Sequence, residues 1–320
     1  MWSDLLRRAR FGLALGASAL LLYVVTLAPS IVPGDGPELT VAARFLGIPH
    51  PSGYPLYVMG GRLASLLPAG TVAWRLNLFA AVAGAAAVGL FGAWLRRATG
   101  STAASLAASA MLALSPSLWR ESTSAEVYSF SLFFLALLLH FLPDGRDARR
   151  LPLAAYLWGL ALTNHLGLVL LLPAFAGWTV LRVRPSRKTL LLAKACFLVG
   201  LTPYALLPVR AADAPLWNWG DPSNLKRFLD HVSGAPYWGY FGGGSAAERL
   251  GGWASALGSE LTPLAYVAIP AGIVFLARKR RDLLVPVLGG AAIALAYALL
   301  YGIHDPEAYF LPVHLLLLVP

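Results

Sequence analysis

Residues 151–181, LPLAAYLWGLALTNHLGLVLLLPAFAGWTVL, contain no Asp, Glu, Lys or Arg. A helix needs roughly 20 apolar residues to cross a bilayer core, so the stretch is too long for one crossing and short for two. Arg146, Arg149 and Arg150 precede it, and Arg182, Arg184, Arg187 and Lys188 follow it. Basic clusters beside apolar segments mark the cytoplasmic side, and both flanks carry one. The chain must therefore leave and return, with short or tilted helices joined by a tight external turn at Thr163, Asn164 and His165.

Working outward, the same pattern repeats. Apolar runs lie at about 11–28, 76–95, 103–114, 127–142, 151–163, 166–181, 189–208, 264–277, 283–301 and 311–320. The other basic clusters are Arg7, Arg8 and Arg10, then Arg96 and Arg97, then Arg278, Lys279, Arg280 and Arg281. With all five clusters inside, each interval holds two candidate spans, and ten crossings with both ends inside is the consistent solution. The expected fold is all-α, a polytopic transmembrane helical bundle in one membrane-embedded domain over 1–320. Its first external loop, 29–74, should carry amphipathic helices, and its large external loop is 209–263.

Composition agrees. The 320 residues are 58% hydrophobic and 12% charged, whereas a soluble domain is about a quarter charged. Disorder is excluded by the apolar content, and a disulfide scaffold by the presence of a single cysteine, Cys196. The net charge of +10 divides by side. The cytoplasmic segments sum to +12, the external loops to −3, and Lys194 within a span adds +1. The basic residues orient the bundle, and the acids collect outside. The N-terminus has the basic and apolar regions of a signal peptide, but the parity of crossings favours a retained first helix. The run 311–320 is too short to span alone, so the chain is expected to continue beyond residue 320.

The external loops hold the candidate chemistry. In Asp35-Gly36-Pro37-Glu38, Pro37 suits the first turn of a helix with Gly36 as cap, and Leu39, Ala42, Ala43 and Leu46 follow at helical spacing. Two carboxylates then sit at the positive end of a helix dipole; simple capping charge is the plainer reading. His50-Pro51-Ser52-Gly53-Tyr54 adds an imidazole and a phenol on a rigid segment. Arg120 and Glu126 lie in the second loop, where Glu126 begins a span and a charge without a partner is costly. Asn164 and His165 make the third loop. Arg210, Trp219 and Asp221 lie in the aromatic-rich fourth, and Asp305 and Glu307 in the last. His50, His165 and His304 with nearby acids leave a divalent metal open, although no HExxH spacing supports one. No phosphate-loop or dinucleotide motif is present, and no nucleic-acid partner is indicated.

Seven segments in order, TLAPSIVPGDGPEL, HPSGYPLY, RLNLFAA, SPSLWRESTSAEVYS, GLALTNHLGLVLLLPA, LLPVRAADAPLWNWGDP and YGIHDPEAYFLP, resemble a family of polytopic protein O-mannosyltransferase-like membrane proteins. It is typified by the transmembrane enzyme that acts on plexin-type domains. The resemblance covers almost the whole chain. It implies a C-type glycosyltransferase fold and transfer of a hexose, such as mannose, from a polyprenyl-phosphate donor to a hydroxyl of protein, glycan or lipid, with inversion. Asp-Gly-Pro-Glu stands where the family usually has Asp-Ser-Gly-Glu, and HPSGYP where HPPGYP is usual; both carboxylates survive.

By this likeness Asp35 is the general base and Glu38 positions the acceptor or shares the proton. Arg210, Arg120 or His50 would face the lipid phosphate, with Tyr54, Glu126, Asn164, His165, Trp219, Asp221, Asp305 and Glu307 around the substrate. A transporter or flippase of lipid-linked sugars is the alternative, although such proteins place ionisable groups near the midplane, where only Lys194 qualifies here. A non-catalytic scaffold would not explain acids and histidines gathered on one side. The Ala, Leu, Gly and Arg-rich composition points to a bacterial inner membrane, with the site on its external face.

Overall fold

The computed structural model describes residues 2–141, 148–303 and 306–319, with side chains from residue 9 onward. Sixteen α-helices follow in order: α1 (Trp2–Val25), α2 (Gly36–Phe45), α3 (Pro55–Ala64), α4 (Val72–Thr99), α5 (Thr102–Ala113), α6 (Pro116–Thr123), α7 (Tyr128–Leu139) and α8 (Leu151–Asn164), then α9 (Trp178–Val183), α10 (Arg187–Gly200), α11 (Leu206–Ala212), α12 (Leu225–Val232), α13 (Ala246–Leu261), α14 (Ala265–Lys279), α15 (Arg281–Leu300) and α16 (Leu311–Leu317). No β-strand occurs among the described residues, only the isolated bridges Ile48–Asn218 and Phe241–Tyr301.

The described residues of each apolar run lie mainly on helix, but length limits how many can span. Four helical segments are long and apolar enough, Val72–Thr99, Leu166–Val183, Arg187–Ala212 and Arg281–Leu300, or six if the bent pairs α6 with α7 and α13 with α14 each count as one. Among the described residues, length and composition thus give four to six spans beside the ten crossings read from hydropathy and charge. The runs at 103–114 and 311–320 form helices of only 12 and 7 residues. At 1.5 Å per residue these fall well short of a core about 30 Å thick.

The long α4 is the centre of the bundle, packed against α1, α5, α6 and α7. Small residues let α1 come close: a methyl group added at Gly12 would lie 2.8 Å from the Gly89 carbonyl, and one at Gly89 2.6 Å from that of Gly12. This is the small-residue seam by which membrane helices approach without a hydrophobic drive. The core around it includes Tyr23, Phe91, Trp94, Leu112, Leu118 and Leu135, all nearly inaccessible.

Two sharp bends set the external face. α6 meets α7 at 115° and α13 meets α14 at 93°. In the α6–α7 corner, Ser124 through Val127 break the helix and bring Glu126 to the bundle's outer end. α2 and α3 pack together over a small cluster of Leu39, Ala43, Tyr57 and Leu76, so the first external loop does carry two amphipathic helices. α2 begins at Gly36 with Asp35 at the cap position, one residue earlier than the Pro37 spacing suggests.

Candidate active site

Six of the α-helix starts are capped conventionally. Thr71, Ser101, Ser115, Ser186, Asn224 and Ser245 each accept a hydrogen bond from a backbone N–H two or three residues on. Asp35 occupies the same position on α2 but its side chain makes no capping bond. Its half-exposed carboxylate instead lies 3.6 Å from His50 Nε2.

Glu38, one turn into α2, is fully engaged. Its Oε1 accepts from the His50 backbone N–H at 2.8 Å and from Trp217 Nε1 at 2.9 Å, and its Oε2 lies 2.9 Å from His50 Nδ1. Although partial burial opposes ionisation, the His50 and Trp217 donors hold Glu38 below the usual carboxylate range. An ionised carboxylate only accepts, so His50 Nδ1 carries the proton toward Glu38, while Nε2 lies 2.8 Å from the Tyr54 hydroxyl. The bridge at Ile48, whose N–H donates to the Trp217 carbonyl and whose carbonyl accepts from Trp219 N–H, brings the fourth loop onto the first. Trp217 thereby reaches Glu38, and the Trp219 ring lies 6.3 Å from the imidazole of His50.

These groups open on a cavity of about 880 Å³, within the size range of small-ligand sites. All five external segments contribute to its wall, and among the described residues none of the basic clusters does. Asp35, Glu38, His50 and Tyr54 come from the first loop; Arg120, Glu121 and Glu126 from the second; His165 from the third; Trp219, Tyr237 and Trp238 from the fourth. Tyr301 and Tyr309 come from the last. A narrow apolar annex, lined by Leu168, Leu171, Ala294 and Pro312, shares Tyr128, His165, Tyr297 and Tyr309 with the main cavity.

The second loop presents a different set of acids. Glu121 is 4% exposed; its Oε1 accepts from Arg120 Nε at 3.0 Å, and its Oε2 has no hydrogen-bond partner. Burial pushes Glu121 up to about 7, and burial together with the neighbouring Glu121 and Asp35 charges pushes Glu126 well above the ordinary range. Arg120 is 53% exposed and its Nη2 lies 3.6 Å from Glu307 Oε2. His165 stacks on Tyr54 with nearly parallel rings 5.9 Å apart. Its Nδ1 accepts from Gly167 N–H, and burial lowers it to about 4, so it is neutral.

Of the residues chosen from the sequence, Asp35, Glu38, His50, Tyr54, Arg120, Glu126, His165 and Trp219 line this one cavity, and Glu307 reaches it through Arg120. Three do not line it. Arg210 donates to the Leu46 and Phe45 carbonyls at the C-terminal end of α2 and pairs with Asp213 at 2.7 Å, so it clamps the first loop rather than facing substrate. Asp221 pairs with Arg227 and accepts from Ser223, closing the fourth loop on itself. Asn164 is buried and donates to the Val127 carbonyl and Ser131 Oγ, stapling α8 to α7. Asp305 and His304 lie outside the described residues.

Glu121 was missed. Its signal was present in SPSLWRESTSAEVYS: Leu118 and Glu121 lie three apart on a helical segment, and Ser117, Leu118, Glu121 and Ser122 form its buried face. Asp35, Glu38 and His50 offer ligand atoms within 4.8 Å of one another, a grouping that could hold a divalent cation, but Glu38 and His50 already satisfy each other.

Residues 35–189 match the family model described as the Protein O-mannosyl-transferase TMEM260 N-terminal domain. The chain resembles the TMEM260 family of protein O-mannosyl-transferases. It is 33% identical over 235 residues to Protein O-mannosyl-transferase TMEM260 of Mus musculus, covering 69% of this chain and 33% of that one. Against the Dictyostelium discoideum protein of the same name it is 29% identical over 240 residues, covering 67% and 29%. The chain thus spans about a third of the length of these curated relatives. Among solved structures, that of ArnT from Cupriavidus metallidurans bound to undecaprenyl phosphate superposes with a TM-score of 0.68 at 16% identity. The match covers 96% of this chain and 58% of that one. The fold is therefore that of the ArnT structure, and the protein is an integral membrane protein of many helices. Both TMEM260 relatives are eukaryotic, so they lend no support to the bacterial inner membrane suggested by composition.

Proposed function

We propose that the chain is a membrane glycosyltransferase that moves a hexose, mannose by the names of its relatives, from a polyprenyl-phosphate donor to a hydroxyl acceptor. The observation that carries the reading is the Asp35 carboxylate, placed at a helix start but left uncapped and facing a cavity with an imidazole and an arginine. The apolar annex beside Tyr297 and Tyr309 supports a lipid-linked donor, as does the undecaprenyl phosphate named for the ArnT structure.

In this mechanism Asp35 accepts the proton of the acceptor hydroxyl as its oxygen attacks the anomeric carbon. The bond from that carbon to the phosphate oxygen breaks, its electrons leave with the lipid phosphate, and the configuration inverts. His50, fixed by Glu38, lies beside Asp35 and steadies it; Glu38 acts through His50 rather than on the acceptor. Arg120 faces the leaving phosphate, the role for which Arg210 and His50 are now committed elsewhere. The mutual hydrogen bonding of Glu38 and His50 favours a site that works without a divalent metal.

The test supplies membranes containing the chain with labelled polyprenyl-phosphate mannose and compares wild type with Asp35→Asn and Glu38→Gln. Transfer that survives both substitutions at wild-type rate overturns the assignment.

A further inference from the structure

We infer that Trp219 and Tyr237 form a hexopyranose subsite: their rings, set edge-on to His50 beside Asp35, stack on the sugar ring of the lipid-linked donor and distinguish it from the bare lipid phosphate. The inference rests on the transferase reading for the carrier of that sugar.

Position comes first. The Trp219 ring lies 6.3 Å from the His50 imidazole at 72° to it, and the Tyr237 ring 6.2 Å away at 80°. Both therefore stand nearly perpendicular to the ring whose Nε2 is 3.6 Å from the Asp35 carboxylate. A base that takes the proton of the attacking hydroxyl must lie close to the anomeric carbon, so the transferred sugar sits next to these rings. Tyr54 also meets His50 edge-on, but it is 6% exposed and offers no face to a ligand. Large aromatic side chains are mostly buried, whereas Trp219 is 44% exposed and lines the cavity, with Tyr237 partly open beside it. The exposed rings are also held in place. The Trp219 N–H donates to the Ile48 carbonyl at 3.0 Å and the Tyr237 N–H to the Gly234 carbonyl at 2.8 Å. Tyr240 packs on Tyr237 with rings 6.1 Å apart and 30° from parallel, and its carbonyl accepts from the Gly302 N–H of the last external segment. Open but braced rings lose little freedom when a ligand covers them.

The chemistry of these rings suits a sugar better than a lipid chain. A hexopyranose carries C–H groups on its faces and hydroxyls around its rim. The C–H groups, slightly positive, pack on the negative face of an aromatic ring, and the rim hydroxyls need polar partners close by. Indole, phenol and the Asp35 carboxylate supply both in one place. An isoprenoid chain has no rim hydroxyls to satisfy, and the annex lined by Leu168, Leu171, Ala294 and Pro312 meets its needs. Neither Trp219 nor Tyr237 lines that annex. The cavity thus separates the two parts of one ligand, aliphatic surface for the lipid and aromatic surface with polar edges for the sugar.

The experiment titrates the full chain in detergent, without acceptor, against polyprenyl-phosphate mannose, polyprenyl phosphate and soluble methyl mannoside, read by calorimetry. Tyr237→Leu and Trp219→Leu keep apolar bulk but remove the aromatic face. Each is expected to weaken binding of the mannose-bearing lipid about tenfold, the scale of one aromatic contact, and to leave polyprenyl phosphate binding unchanged. Tyr237→Phe and Trp219→Phe, which keep a ring, are expected to recover most of that loss. The two positions are tested separately, so one variant that does not fold leaves the other to decide. Unchanged binding of the mannose-bearing lipid in the Leu variants overturns the inference, as does an equal loss for polyprenyl phosphate or a loss in the Phe variants as large as in the Leu ones. A loss seen for methyl mannoside and not for the mannose-bearing lipid also overturns it, because the sugar held would then be the acceptor's. None of these titrations needs turnover. A chain that binds as described but transfers no sugar would sink the transferase reading and leave this one standing, and transfer with no sugar-dependent loss would do the reverse.

Discussion

Two sets of acids line the cavity, one from each of the first two loops, and they are built oppositely. On the first loop, Asp35 is half exposed and Glu38 accepts three hydrogen bonds from donors that favour its charge. On the second, Glu121 and Glu126 are placed where burial dominates, with Arg120 the main relief. Identical side-chain chemistry therefore gives a charged wall suited to taking a proton and a wall biased toward neutrality, suited to shaping and orienting. The difference lies in which donors reach each carboxylate, and those donors come from loops far apart in sequence, such as Trp217 for Glu38.

Substitutions should break the comparison unequally. Asp35→Asn removes the proton acceptor and should lower the transfer rate by about 10² to 10⁴, with donor binding kept, in an assay of labelled sugar transfer. Glu38→Gln leaves Asp35 in place but releases His50 and Trp217. The expected loss is about tenfold to a hundredfold in kcat, the scale of misplacing a catalytic group by an ångström.

A smaller effect appears in stability against pH. Glu121 has a folded pKa raised to about 7 against an ordinary value of 4.5. Its contribution to stability is fully present below about 4.5 and is lost as pH rises through about 7. His165 and His231, both lowered to about 4 by burial, change stability in the opposite sense at lower pH, so the comparison must be with a variant. Between pH 5.5 and 8 the melting temperature of Glu121→Gln should rise relative to wild type, and a flat difference would contradict the buried, neutral-leaning wall. Glu38 has the opposite sign: its depressed pKa adds stability above the ordinary carboxylate range that is lost as pH falls below it. The smallest expected effect is that of a chelator. Since Glu38 and His50 bind each other, EDTA should leave transfer within about twofold of its untreated rate.

The apolar runs and their basic flanks were legible because hydropathy and charge are local properties of sequence. The candidate site was legible where a motif kept its chemistry within a few residues, as with Asp35, Glu38, His50 and Tyr54. Two things were not. The number of crossings depends on helix length and bend, and the corner at residues 124–127 turns α6 against α7 in a way that hydropathy alone does not show. The partners of arginines depend on tertiary packing: Arg210 and Arg120 look alike as external cations, yet one caps α2 from 164 residues away and the other faces the cavity. Glu121 was hidden for a similar reason, being adjacent to Arg120 and so resembling a solvated pair until its face of α6 is seen to be the buried one.

The most direct measurement of the central claim follows both halves of a doubly labelled polyprenyl-phosphate mannose in proteoliposomes containing the chain and a hydroxyl acceptor. The account predicts that labelled sugar appears on the acceptor with inverted anomeric configuration while an equal amount of polyprenyl phosphate is released. Movement of the intact lipid-linked sugar between leaflets, with no sugar on any acceptor, would contradict it and establish a transporter in its place.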